Sequence, residues 1–132
     1  MADERILVVD DDRDIRGLAA TVLADAGYDV RQAGSGAEAF EVLERNRCAL
    51  VLLDINMPGL DGWQTLRLIR ADERLRALPV VMFSVKSEVR HKLTSLQEGA
   101  TDYLSKPFVV DELLRRVRSV LDAAHDSPAV QR

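Results

Sequence analysis

The chain has 132 residues, 47% of them hydrophobic and 30% charged, with a formal net charge of −4. That is the size of one ordinary domain with a sizeable core, and it excludes disorder for all but the ends, since disorder needs fewer large aliphatics and a larger charge excess. With 18 Lys and Arg against 22 Asp and Glu, the chain lacks the positive excess that a phosphate backbone requires, so no direct contact with nucleic acid is expected.

In chain order, Ile6 to Val9 reads as a strand, followed by Ile15, Leu18, Ala19, Val22, Leu23 and Ala26, a stripe at helical spacing. Tyr28 to Ala33 predicts a second strand, and Ser35 followed by Glu38 reads as a capping box for a second helix. Ala49 to Leu53 is the third strand, and Asp61 can cap the third helix. Val80 to Phe83 is the fourth strand, and Val89, Leu93, Leu96 and Ala100 form the stripe of a fourth helix. Asp102 to Ser105 is the fifth strand, and Leu113, Leu114, Val117, Val120 and Leu121 mark a fifth helix. Gly27 and Gly99 stand where helix ends need a left-handed residue. Residues 1–125 are expected to form the domain and residues 126–132, which include Ser127-Pro128, a disordered tail.

Strands separated by helices lie parallel with right-handed crossovers, in a sheet covered on both faces. The first, third and fourth runs are continuously aliphatic, as central strands are. The second and fifth carry Asp29, Arg31, Gln32, Asp102 and Ser105 and belong at the edges. The expected fold is therefore α/β, a flavodoxin-like doubly wound parallel sheet of five βα units in strand order 2-1-3-4-5. The Rossmann order needs a glycine-rich turn after the first strand, where this chain has Asp10, Asp11 and Asp12.

Ligands of open parallel sheets bind beyond the carboxyl ends of the strands. There the first strand delivers Asp10, Asp11 and Asp12, the third Asp54, the fourth Ser84, and the fifth Lys106 followed by Pro107. Asp12 reads as the cap of the first helix. Two bare carboxylates about 5 Å apart repel by roughly 3 kcal/mol at an effective dielectric near 20. A hard divalent cation relieves this directly, and Mg²⁺ suits a few carboxylates, a carbonyl and open positions for water or phosphate oxygen. Lys106 adds a mobile positive charge and Ser84 a hydroxyl, a combination suited to phosphate or a phosphoryl group.

In these motifs the sequence resembles the receiver domain of two-component response regulators, of the chemotaxis response regulator type, over about residues 4 to 124. The resemblance is carried by Ile6-Leu-Val-Val-Asp10-Asp11, by Leu53-Asp54-Ile-Asn56-Met57-Pro58-Gly-Leu-Asp-Gly62, by Ser84, and by Gly99-Ala-Thr-Asp-Tyr103-Leu-Ser-Lys106-Pro107-Phe108. It implies that Asp54 is the phosphoacceptor, served by a histidine kinase, a phosphotransfer protein or a small phosphodonor. It implies that Asp11 binds Mg²⁺ directly, Asp10 mostly through water and Asn56 by its backbone carbonyl, with Lys106 neutralising charge. Ser84 and Tyr103 would be the switch pair, and the bond before Pro107 would be cis. A downstream protein effector would dock on the fourth helix, fifth strand and fifth helix, where a phosphorylation-dependent homodimer also belongs. The chain would catalyse only its own phosphorylation and dephosphorylation.

Val85 stands where the family has a small residue, which implies narrower access to the pocket, slower phosphotransfer and slower loss of phosphate. Lys86 and Asn56 occupy the two positions that tune dephosphorylation. Arg115, Arg116 and Arg118 on the fifth helix, with Arg90 and Lys92 on the fourth, read equally as a solvated face or a docking surface. Cys48 reads as a buried hydrophobe, Trp63 as packing, His91 as a surface residue and His125 as lying near a fraying end. No apolar stretch approaches the roughly 20 residues of a membrane span, and no secretory signal is read at the start, so a cytoplasmic location is expected. Two alternatives remain open. One is a phosphorylation-independent adaptor of the same fold. The other is a haloacid dehalogenase-like phosphatase, for which Asp10-x-Asp12 would be the catalytic pair.

Overall fold

The computed structural model describes residues 4–85, 94 and 96–126. The elements run β1 (Arg5–Val9), α1 (Arg13–Asp25), β2 (Asp29–Ala33), α2 (Gly36–Arg45), β3 (Leu50–Asp54), α3 (Gly62–Ala71), β4 (Val80–Val85), β5 (Asp102–Lys106) and α4 (Val110–Asp126), the last being the fifth helix of the predicted order. All strand pairs are parallel, and the sheet order is β2-β1-β3-β4-β5. The fold is the flavodoxin-like one expected, with the two polar strands at the edges.

Alternation along each strand sorts the core into two layers. Leu7, Val9, Val51, Leu53, Val80 and Met82 face one way, packed with Ala39 and Leu43 of α2 and Leu66 and Ile69 of α3. Ile6, Val8, Leu50, Leu52, Val81, Phe83 and Leu104 face the other, against Ala19 and Leu23 of α1 and Leu113, Val117 and Leu121 of α4. These strand residues are almost wholly buried, as a sheet covered on both sides requires.

The strand ends differ from the expected ones in a consistent way. Tyr28 and Ala49 lie before their strands, whereas Asp54, Ser84, Val85 and Lys106 lie within theirs. The ladder continues past the last aliphatic because Asp54 pairs with Phe83 in register and Val85 with Lys106. Asp54 and Lys106 therefore end their strands instead of following them, fixed in place by the sheet itself, whereas Asp10 comes one residue past the end of β1.

Helix starts follow their caps. The Asp12 carboxylate accepts from the Asp14 and Ile15 amides at 2.9 and 3.2 Å, and Asp61 and Gln64 form a full capping box. The box expected at α2 is only half made. Ser35 Oγ accepts from the Glu38 amide at 3.1 Å, but the Glu38 carboxylate accepts at 2.6 Å from Gly34. Gly34 lies just past the β2 ladder, and its N–H needs an acceptor. Gly27 and Gly99 have φ of +102° and +103°, the conformation expected of them.

His125 is not at a loose end, because α4 runs through Asp126 and the ring lies 2.7 Å from Glu4 Oε2. Most of the fourth predicted helix, with Lys86, Arg90, His91 and Lys92, lies outside the described residues, as do the Val85 side chain and the tail from Ser127. Of its stripe, Leu96 is exposed and Ala100 buried. No helix among the described residues is long and apolar enough to cross a membrane.

Candidate functional site

Parity brings the chemistry together. Asp10 continues the Ile6 and Val8 face of β1, Asp54 the Leu50 and Leu52 face of β3, and Lys106 the Leu104 face of β5. All three emerge at the carboxyl edge on the α1 and α4 side of the sheet. Asp10 is 0% and Asp54 3% exposed. Asp11, one residue on, is exposed. Each of the three acids offers an oxygen, and these oxygens lie within 4.8 Å of one another.

Lys106 spans the pair, its Nζ 2.8 Å from Asp10 Oδ2 and 3.0 Å from Asp54 Oδ1. One ammonium against three carboxylates leaves an excess of negative charge in a largely buried place. Burial, and then the neighbouring Asp10 charge, push the Asp54 carboxyl up to about 7 despite the opposing pull of Lys106. For Lys106, burial works against the ammonium, but its bonds to Asp10 and Asp54 prevail and hold it above the usual lysine value. A divalent cation would relieve the excess, and the donor set of hard carboxylate oxygens fits one.

Asp10 is held firmly. Its amide donates to the Ala33 carbonyl at 3.1 Å, and its Oδ1 accepts from the Asp12 amide at 2.9 Å. Its carbonyl accepts at 2.9 Å from Nη1 of Arg16, whose Nε also reaches Gln32 Oε1 at 3.2 Å. Asp54 is braced through its backbone. The next amide, Ile55, donates to the Phe83 carbonyl at 3.1 Å, and the Ile55 carbonyl accepts from Gly62 at 2.9 Å. A Cβ on Gly62 would run into the Asp54 carbonyl oxygen and come within 2.6 Å of Ile55 Cα. Gly62 therefore lets α3 start directly against the strand end that carries Asp54.

Of the other expected residues, Ser84 is buried one position past Phe83. Asn56 is exposed in the loop between β3 and α3. Tyr103 is buried in the α2 and α3 layer, its hydroxyl without a hydrogen-bond partner among the described residues. The Lys106–Pro107 peptide is cis. Trp63 packs against the core as expected, and Cys48 packs there too but is only partly buried, which still raises its thiol. The sequence pattern does not single out Arg16 or Phe83, and it assigns no role to Gly62. Arg16 acts through a backbone carbonyl and Phe83 from beneath the site, so neither shows in strand-end spacing. The one available signal is parity, which puts Phe83 on the same face as Asp54.

A cavity of about 590 Å³ opens at the opposite edge of the sheet, lined in part by Leu43, Cys48, Leu75 and Leu78. None of the site's charged groups lines it, so the site is defined by converging charge, not by volume.

Comparisons with known proteins bear on the family and the fold. Residues 6–118 match the family described as the response regulator receiver domain. The chain is 40% identical over 119 residues to the transcriptional regulatory protein GltR of Pseudomonas aeruginosa, covering 90% of this chain and 49% of that protein. It is 41% identical over 133 residues to the response regulator MprA of a Mycobacterium species, covering 96% and 56%. The chain thus spans about half the length of these curated relatives. Among solved structures, the chemotaxis protein CheY4 of Vibrio cholerae superposes with a TM-score of 0.85 at 31% identity, over 90% of this chain and 99% of that one. The receiver domain of NtrX from Brucella abortus gives 0.84 at 36%, over 89% and 98%.

Proposed function

The chain belongs to the response regulator receiver domains of two-component systems, and from that premise we propose that Asp54 accepts a phosphoryl group with the help of Mg²⁺, switching the domain between two states. The observation that carries this reading is the Lys106 ammonium between two buried carboxylates, 2.8 Å from Asp10 and 3.0 Å from Asp54. It is a pocket with negative charge to spare and a cation at hand.

Asp10, Asp11, Asp54 and the Asn56 carbonyl would hold the ion. When bound, Mg²⁺ supplies charge neutralisation for the incoming phosphoryl oxygens. Asp54, ionised and freed of its proton, presents a carboxylate oxygen to phosphorus. The new P–O bond forms as the P–N bond of a kinase phosphohistidine breaks, and the electron pair leaves with the imidazole nitrogen. Lys106 offsets charge on the transferring group, and the Ser84 hydroxyl bonds a phosphoryl oxygen afterwards, with Tyr103 adjusting behind it. The family premise favours a signalling switch that turns over only its own phosphate.

The dehalogenase-like alternative requires Asp10 as nucleophile. Both Asp10 oxygens are engaged, one by the Asp12 amide and one by Lys106, which favours Asp54 instead. The partners follow from the same reading: a histidine kinase or phosphotransfer protein upstream, and a protein effector downstream on the fourth predicted helix, β5 and α4, in the cytoplasm. The lack of positive excess, 18 against 22, supports a domain that leaves nucleic acid to other sequence.

The test is phosphotransfer from a phosphorylated histidine kinase with radiolabelled phosphate. The label should move to the chain only with Mg²⁺, should be lost to hydroxylamine as an acyl phosphate is, and should be absent from Asp54→Ala. Label retained by Asp54→Ala, or transfer undiminished by chelator, contradicts the reading.

A further inference from the structure

Phe83 is fully buried in β4, opposite Asp54 in the β3–β4 register and on the sheet face of Asp10, Asp54 and Lys106. Its ring centroid lies 4.7 Å from Lys106 Nζ. Phe108, just past Lys106 and Pro107, backs it with ring centroids 5.8 Å apart at a tilt of 51°. The ammonium thus lies against two carboxylates and one aromatic face.

These neighbours differ in what happens to them. Asp10 and Asp54 are the groups a divalent cation draws on, and Asp54 becomes an uncharged acyl linkage when phosphorylated. The ring neither titrates nor coordinates, and its negative face attracts a partly desolvated cation throughout. An aliphatic side chain would fill the same core position without that attraction.

We propose that Phe83 is a positioning residue whose ring seats the Lys106 ammonium, keeping it aimed at the acceptor oxygen of Asp54 when the carboxylates turn to a cation. The proposal rests on the reading of Asp54 as phosphoacceptor.

Replacing Phe83 with mono-, di- and trifluorophenylalanine drains the negative face in steps while nearly preserving ring shape, so core packing is held constant. Labelling by acetyl phosphate with Mg²⁺ should slow stepwise, roughly tenfold across the series. In metal-free protein, the nitrogen-labelled Lys106 ammonium signal should broaden in the same order as its protons exchange more freely. The melting temperature should stay nearly level. Phe83→Leu should fall with the most fluorinated ring in both readouts. Rates and signals independent of fluorine number would overturn the seat. If the native chain forms no phosphoryl adduct, the phosphoacceptor reading fails, and the metal-free signal alone decides the seat.

Discussion

At the scale of single residues, the site gathers three carboxylates around one lysine. Asp54 is raised from 3.8 to about 7 by burial and then by Asp10, so the fold binds a proton there more tightly than the unfolded chain. The stability this gives is full below the unfolded value and is lost as pH rises from about 4 to about 7. Asp54→Asn removes the loss. In metal-free buffer at pH 8 it should raise stability by about 1–3 kcal/mol, read as a melting temperature roughly 5 °C higher, with little difference at pH 4 and a smaller gap when Mg²⁺ is added. A variant no more stable than native at pH 8 contradicts the balance described. Arg16 gives a second prediction. Its bond to the Asp10 carbonyl orients a residue that would hold the cation, so Arg16→Met should weaken Mg²⁺ binding roughly tenfold by calorimetry, with the fold unchanged. Asp10, Asp11, Asp54 and Lys106 are legible in the sequence as polar residues standing at the ends of aliphatic runs. Arg16, Phe83 and Gly62 are not, because they act through carbonyls, ring faces and close approach, which leave no period in the sequence.

At the scale of elements, caps and strand ends are readable to within a residue or two, and the errors share a cause. Aliphatic runs mark where a strand is buried, whereas the ladder runs on until its partners stop, which is how Asp54 and Lys106 come to lie inside β3 and β5. The half-made box at α2 has a similar origin: Glu38 serves the Gly34 amide, a donor defined by where β2 ends. The start of α3 sits against the Asp54 carbonyl through Gly62. Gly62→Ala should therefore cost about 1–3 kcal/mol in urea denaturation and slow phosphorylation, because the added methyl must push α3 away from the strand end. Unchanged stability would mean that this junction yields without cost.

At the scale of the molecule, alternation of aliphatic runs and helical stripes is enough for the layers and the parallel sheet, and the polar residues of the second and fifth runs for the strand order. The charges of α4 are less legible. Arg116 pairs with Asp102 at 3.0 Å and Glu112 at 3.5 Å, and Arg118 with Glu4 and Asp122, each at 3.0 Å. Much of the basic character read from this helix thus serves the domain itself, tying its end to the segment before β1. Burial works against the Glu4 charge, but bonds from His125 and Arg118 hold its carboxyl below the usual range, so its contribution fades as pH falls through that lowered value. Glu4→Gln should cost about 0.5–1 kcal/mol at neutral pH and progressively less in acid, in paired denaturation curves. The central claim concerns what the converging strand ends do together. Acetyl phosphate and Mg²⁺ should raise the intact mass of the native chain by one phosphoryl group and leave that of Asp54→Ala unchanged. An unmodified native chain, or an equal gain on the variant, would contradict it.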